Sequence, residues 1–195
     1  YLLAHPGVGE WLAFRRACAG GHLADVSAII RAGGKRVGMY IFTPCLAPLV
    51  GQSYRDLASH VDVFAPMIYR NYPNAPGPAC LNWELTNILA ELGLEGTNAE
   101  AAALRAVLLG VGLEAEADAY SIASVRRALS ACAVGAEVAR ARALLPDDRE
   151  LAPILTIEDP EMRRIVDDVR GAGAQGVNFF KCQDNWRDIL PEFAT

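Results

Sequence analysis

Residues 61–69 read Val61-Asp-Val-Phe-Ala-Pro-Met-Ile-Tyr69, a short apolar run that decides the fold because three further runs of the same kind occur in the chain. Each run is too short for a buried helix, is rich in β-branched or aromatic residues, and is separated from the next by helical sequence. The pattern predicts an α/β protein with about four buried parallel strands joined by helical crossovers. The other three runs are Arg36–Phe42, Leu151–Ile157 and Gly176–Phe180.

Helical segments are predicted between these runs. A first helix is expected from about Glu10 to Ala32, with a break at Gly20-Gly21, and Ser53 is placed to cap a short second helix. Before the last strand, Asp159 is expected as the N-cap and Pro160 as the first helical residue. An inward apolar stripe follows in that helix, formed by Met162, Ile165, Val166 and Val169.

Roughly 80 residues separate the second and third runs, which is far more than one crossover needs. We interpret this stretch as a helical insertion or an elaborated crossover at about residues 78–148, within a single α/β domain that spans residues 1–195. One helix of the insertion is expected to bury a single stripe, and Thr97 with Glu100 predicts a capping box for the next. The expected stripe is Leu81, Leu85, Ile88, Leu89 and Leu92. Two further helices are predicted at about Ser121–Ala133 and Gly135–Leu145.

Composition excludes several classes of function. The 195 residues carry a formal net charge of −5, which offers no basic face for nucleic acid and no polybasic anchor for a membrane surface. We find no apolar run of about 18 residues that would span a bilayer. The five cysteines form no C-x-x-C pair, and the three histidines lie far apart, so we expect no metal site. Unpaired cysteines and the lack of a visible signal peptide favour a soluble, cytoplasmic protein.

Polar residues follow each strand, and in parallel sheets ligands bind beyond the carboxyl ends of the strands. Glu158 follows the third run directly, and Lys181 follows the fourth. If the two strands are neighbours, these side chains share one cleft, where Glu158 is the catalytic candidate and Lys181 would adjust its pKa. The alternative is a salt bridge or a solvated loop.

The remaining candidate residues suit a ligand rich in hydroxyl groups. Tyr69, Arg70 and Asn71 end the second strand and offer a guanidinium fork, an amide and an aromatic face that can stack on a sugar ring. Asp184 and Trp186 repeat this mixture after the fourth strand, and Gln52 follows the first. These residues predict carbohydrate binding without a cofactor, since no phosphate-binding glycine loop follows any strand.

At these residues the chain resembles the carboxyl-terminal half of a glycoside-hydrolase-like TIM barrel of a poorly characterised bacterial family. The similar stretches are Gly38–Pro44, Leu49–Leu57 and Val61–Arg70, in which Asp62, Met67 and Tyr69 match a pattern of the sixth strand of sugar-cleaving barrels. The resemblance implies a partial (β/α)8 barrel that contains strands five to eight. It also implies that Glu158 occupies the nucleophile position of a retaining glycosidase.

Such a glycosidase needs a second carboxyl group, which the resemblance would place in an N-terminal half-barrel before Tyr1. The leading hypothesis is therefore a hydrolase-like barrel, or part of one, that binds or cleaves carbohydrate. A second hypothesis is a non-catalytic carbohydrate-binding or scaffold domain. A third is a half-barrel that pairs with a second copy as a homodimer, and a fourth is an open-sheet protein with a small ligand at its switch point.

Overall fold

Parallel strands form one sheet in the computed structural model of the protein, which describes residues 5–71, 80–116 and 121–180. Strand β1 (Gly38–Phe42) pairs with β2 (Val63–Met67), which pairs with both β3 (Glu150–Leu151) and β4 (Ile154–Thr156), and β4 pairs with β5 (Asn178–Phe180). Neighbours in the sheet thus follow the order of the chain. The prediction of about four parallel strands in an α/β fold is confirmed.

The third predicted strand is divided because Pro153 has no N–H to donate to the ladder. Pairing continues on both sides of the proline. The Ala152 N–H donates to the carbonyl of Phe64 (2.9 Å), and the Ile68 N–H donates to the carbonyl of Ile154 (3.1 Å). Segments β3 and β4 therefore act as one interrupted strand beside β2.

The helices of the described residues lie before and between these strands. Their bounds are α1 (Pro6–Ala32), α2 (Tyr54–Leu57), α3 (Leu81–Glu91), α4 (Glu100–Gly110), α5 (Ile122–Arg127), α6 (Ala131–Leu144) and α7 (Met162–Gly171), with short 3-10 helices at Ala47–Val50 and Glu114–Glu116. Helix α1 is continuous through Gly20-Gly21, so the predicted break there is wrong. No helix of the described residues combines the length and apolar character needed to cross a bilayer.

One face of the sheet holds the main hydrophobic core. Alternate strand residues such as Ile41, Phe64 and Leu155 point into it and are at most 1% exposed. Helices α2, α6 and α7 cover this face, and the predicted stripe of α7 is fully buried there. The same core includes Ala131, Val134, Val138 and Ala141, which shows that α6 is the crossover helix between β2 and β3 rather than an outlying part of an insertion.

Helices α3, α4 and α5 build a second core of their own. It consists mainly of leucines, with Leu81, Leu85 and Leu89 facing inward from α3. Ile88 and Leu92 are 58% and 68% exposed, so the predicted α3 stripe is wrong at these two positions. The predicted capping box is also wrong, because Ala99 is the N-cap of α4 and the Glu100 carboxylate instead accepts the N–H groups of Gly96 and Ile122.

This helical unit leaves the sheet and returns to it at the same place. The Leu81 N–H donates to the carbonyl of Tyr69 (2.9 Å), directly after β2. At the other end of the unit, the Leu129 N–H donates to the carbonyl of Arg70 (3.3 Å). The hydrogen bonds at the start and at the end of the helical unit are thus accepted by adjacent residues, Tyr69 and Arg70.

The opposite face of the sheet is only partly covered within the described residues. Tyr69, Ala65 and Ile154 pack there with Cys80 and form a small third cluster. Farther along the same face, Tyr40 is 72% exposed and Phe180 is 43% exposed. Helices therefore pack densely on one side of the sheet, whereas the other side keeps large aromatic surfaces in contact with solvent.

Candidate functional site

A buried ion pair joins the carboxyl ends of two neighbouring strands. Arg70, three residues after β2, donates from Nε to Oδ2 and from Nη2 to Oδ1 of Asp159, which follows β4; both distances are 2.6 Å. The side chains of Arg70 and Asp159 are only 5% and 3% exposed. The residues that flank this pair, Tyr69 and Glu158, therefore belong to the same edge of the sheet.

The guanidinium of Arg70 is fully engaged within the protein. Besides Asp159, it contacts Glu161 (3.1 Å from Nη2) and donates from Nη1 to the carbonyl of Leu129 (2.6 Å). Burial opposes its charge, yet the hydrogen bonds and negative charges of Asp159 and Glu161 outweigh burial and raise the pKa of Arg70. The sequence predicted that the guanidinium of Arg70 binds a ligand. In the structure it instead joins the ends of β2 and β4.

The prediction that Asp159 is the N-cap of α7 is wrong. The N-cap of α7 is Glu161, and the helix begins at Met162 rather than at Pro160. Asp159 instead accepts the N–H of Glu161 at Oδ1 (2.9 Å) while it holds Arg70. A capping geometry would turn the carboxylate away from a buried guanidinium, which would leave that charge without its main partner.

Glu158 lies between β4 and this ion pair. It is half-buried, in a turn that directly follows the strand, and is therefore within reach of solvent at the carboxyl edge. Its neighbour Asp159 is neutralised by Arg70. Of these two carboxylates, Glu158 is the one whose position suits contact with a ligand.

Tyr69 is placed at the same edge but is packed. It is 5% exposed, and its ring lies 5.3 Å from the ring of Phe180 at the end of β5. The ends of β2 and β5 thus approach each other around β4. Asn71 follows at the surface and is half-buried. The remaining predicted residues of this cleft, Lys181, Asp184 and Trp186, lie outside the described residues.

Among the described residues, the space inside this edge is small. A void of about 10 Å³ borders Arg70, Asp159 and Thr156, which is at most the space of one water molecule. The hydroxyl of Thr156 is buried there and has no hydrogen-bond partner. A ligand at this edge would therefore bind on its outer side, where Glu158 and Asn71 lie.

Gln52 is placed away from this cleft. Its Oε1 accepts the N–H of Phe42 (2.8 Å), and the residue lines a separate cavity between α1 and the segment that follows β1. Tyr69, Arg70 and Glu158 do not belong to the lining of that cavity. The structure therefore brings Tyr69, Arg70, Asn71 and Glu158 to one edge and places Gln52 elsewhere.

Sequence reasoning missed a buried carboxylate at the end of β1. Glu137 of α6 is fully buried, and its Oε2 accepts the hydroxyl of Thr43 (2.6 Å) and the N–H of Cys45 (2.8 Å). Its Oε1 lies 3.3 Å from Nη1 of Arg140. The inward stripe of α6 contained the signal, since Glu137 stands at helical spacing between Val134 and Ala141.

The buried carboxylate changes the titration of its neighbours. Burial, and then the negative charge of Glu137, raises the pKa of the Cys45 thiol. Burial and Glu137 likewise raise the pKa of the Tyr54 phenol, whose hydroxyl donates to the carbonyl of Phe42 (2.7 Å). Both groups therefore stay neutral, and the cluster fixes the loop after β1 rather than supplying a nucleophile.

No group of three or more potential metal-ligating side chains occurs within residues 5–71, 80–116 and 121–180. Comparison of the chain with protein-family models, with curated protein sequences and with solved structures finds no significant match. The function must therefore be argued from the geometry of the sheet and its carboxyl edge.

Proposed function

We propose that the chain is a half-barrel of the glycoside-hydrolase-like (β/α)8 type that binds carbohydrate at the carboxyl edge of its sheet. The sequential order of parallel strands, with helices on one face, is the arrangement that a segment of such a barrel would have. The observation that carries the proposal is the Arg70–Asp159 pair, which locks neighbouring strand ends and so positions Tyr69, Asn71 and Glu158 on a shared edge.

In this proposal Glu158 is the reactive carboxylate, and Asn71 provides hydrogen bonds to sugar hydroxyl groups. Tyr69 and Arg70 act as positioning residues, because both are packed within the protein. Lys181, Asp184 and Trp186 are proposed to contact the sugar from the segment after β5. Glu158 would serve as the nucleophile of a retaining reaction only if a second carboxyl group lay about 5 Å away, as that chemistry requires.

The second carboxyl group and the cover for the exposed sheet face would come from another set of βα units. Those units would belong either to another part of a longer chain or to a second copy of this one. Tyr40 and Phe180, which are exposed on the face that would line the inside of a barrel, support such pairing. Without that complement, the same edge would act as a carbohydrate-binding or scaffold surface and would not cleave its ligand.

The test compares Glu158→Gln with the unaltered protein in titration calorimetry against a panel of oligosaccharides and in turnover of aryl glycosides. If the protein cleaves a glycoside, the loss of the carboxylate should reduce turnover by about 10²–10⁴-fold and leave sugar binding within a few-fold. Glu91→Gln is the matched control, since Glu91 is exposed at the end of α3. Binding without turnover would identify the non-catalytic form of the proposal.

Two results would contradict the proposal. One is the absence of binding to every sugar of the panel. The other is turnover that Glu158→Gln leaves unchanged, because cleavage would then depend on a different site.

A further inference from the structure

A cavity of about 790 Å³ lies between the first half of α1 and the segment that joins β1 to α2. Its volume falls within the range of about 300–1,000 Å³ that is typical of small-molecule sites. The lining is mainly apolar, with Leu12 and Ala13 on the α1 side and Pro48 and Leu144 opposite them. This cavity is distinct from the carboxyl edge at which carbohydrate binding is proposed.

The walls of the cavity are fixed by specific contacts. Gly51 has φ +78°, and a Cβ atom built on it would lie 2.8 Å from the carbonyl carbon of Arg15, so α1 and the joining segment meet at backbone contact. On the sheet side, the hydroxyl of Tyr54 donates to the carbonyl of Phe42, and the side-chain oxygen of Gln52 accepts the N–H of Phe42. The cavity is therefore a preformed feature of the folded chain.

The cavity is lined by more basic than acidic side chains. Arg16 and Asp56 pair with each other, and this pairing lowers the pKa of Asp56. Arg55 and His60 also line the cavity, and neither side chain makes a hydrogen bond or an ion pair with the described residues. A cationic guanidinium thus remains at an apolar cavity without a protein carboxylate to balance it.

The cavity lining also offers hydrogen-bond donors to a ligand. The side-chain oxygen of Gln52 accepts the Phe42 N–H, and the Nε2 donors of its amide are available for other contacts. Together with Arg55 and His60, the cavity offers donors and positive charge beside an apolar surface. A ligand that matches this set has acceptor oxygens with negative charge at one end and an apolar body at the other.

We propose that this cavity binds a small amphipathic anion, in which a carboxylate or sulfonate contacts Arg55 and an aromatic or aliphatic body packs against α1. Charge complementarity favours this class over a neutral apolar ligand, because the exposed guanidinium of Arg55 gains an ion pair only with an anion. The proposal does not depend on carbohydrate binding at the carboxyl edge, because the two sites share no residue.

The test uses two fluorescent probes with similar apolar bodies, the anion 8-anilinonaphthalene-1-sulfonate and the neutral N-phenyl-1-naphthylamine. We expect the anion to bind with a single-site isotherm and more tightly than the neutral probe. Arg55→Gln should weaken the binding of the anion roughly fivefold and leave the neutral probe unchanged, as expected for one solvent-accessible charge pair. Arg127→Gln, which removes an exposed arginine of α5, is the matched control.

A second variant locates the site. Ala13→Trp places an indole in the cavity from an exposed helix position and should weaken the binding of both probes at least tenfold, with an unchanged circular dichroism spectrum. The proposal is overturned if the neutral probe binds as tightly as the anion, if Arg55→Gln binds the anion as the unaltered protein does, or if Ala13→Trp has no effect. Failure of sugar binding at the carboxyl edge would leave these outcomes unaffected.

Discussion

Buried charges at the carboxyl edge of the sheet each have a specific partner. Arg70 is held by Asp159 and Glu161, and the Glu137 carboxylate accepts two hydrogen bonds from the loop after β1. A buried charge that loses its partner is costly, since neither water nor another group can replace the lost interaction. These residues therefore determine how precisely the strand ends, and with them Glu158, are positioned.

We expect Asp159→Asn to lower the free energy of unfolding by about 3 kcal/mol, because it leaves the Arg70 guanidinium buried without its bidentate partner. Urea-induced unfolding followed by circular dichroism measures the change. The double variant Arg70→Met/Asp159→Leu should be less destabilised than Asp159→Asn. Glu150→Gln is the control, since its pair with Arg36 is exposed and should contribute little to stability. A loss below 1 kcal/mol for Asp159→Asn would contradict this account.

The partners of these charges could not be predicted from the sequence. Asp159 stands before a proline and a helical stripe, so local rules favoured an N-cap, whereas a long-range contact with Arg70, 89 positions away, determines its geometry. Arg70 and Tyr69 were correctly expected at a strand end, but their burial depends on α5, β5 and the loop after β4. The helical spacing of Glu137 in α6 indicated that it faces inward, but its partners Thr43 and Cys45 lie 94 and 92 positions away, where no local pattern identifies them.

Among the elements, helix α1 depends on a single glycine for its contact with the segment after β1. Gly51 combines a left-handed backbone conformation with a position at which any side chain would overlap Arg15 of α1. Helix α1 is otherwise weakly amphipathic, with Trp11, Phe14 and Ile29 more than half exposed. The contact at Gly51 therefore determines how closely the first half of α1 approaches the segment after β1.

We expect Gly51→Ala to lower the free energy of unfolding by about 2–4 kcal/mol, the sum of about 1 kcal/mol for the left-handed conformation and the cost of overpacking against α1. Gly34→Ala is the matched control. Gly34 also has a positive φ (+69°), but a Cβ atom there meets nothing within 4 Å, so only the conformational cost of about 1 kcal/mol applies. Equal losses in the two urea-unfolding curves would show that α1 does not press on Gly51.

The positions of strands and helices were largely predictable, since each apolar run is too short for a buried helix and is rich in β-branched or aromatic residues. The details that failed depend on tertiary packing. The third strand is interrupted at Pro153, and Ile88 and Leu92 face solvent. Periodicity identifies an apolar stripe, but it does not identify the surface against which the stripe packs.

At the scale of the whole molecule, the two faces of the sheet differ. One face is sealed by α2, α6 and α7, whereas the other keeps Tyr40 and Phe180 exposed, and the free edge of β1 has no partner strand within the described residues. Exposed aromatic surface beside an unpaired parallel edge favours association. This asymmetry is the reason for proposing that further βα units complete the sheet.

If a second copy supplies those units, sedimentation equilibrium should show a dimer whose population rises with protein concentration. Tyr40→Glu, which places a charge on the open face, should then shift the protein to monomer. Ile29→Glu is the control, since Ile29 is 74% exposed but lies on α1, away from that face. A monomer at every concentration would reject the homodimer.

The leucine-rich helical unit begins and ends beside Tyr69 and Arg70. Its entry and exit hydrogen bonds fall on consecutive residues of one strand end, so the path through about fifty residues has almost no net displacement. Because closing a loop depends only weakly on its length, a change in the length of this unit need not displace β2. The Leu129 carbonyl that accepts from Arg70 nevertheless connects the far end of the unit to the strand, so an alteration that removes Leu129 would disturb the surroundings of the Arg70–Asp159 pair.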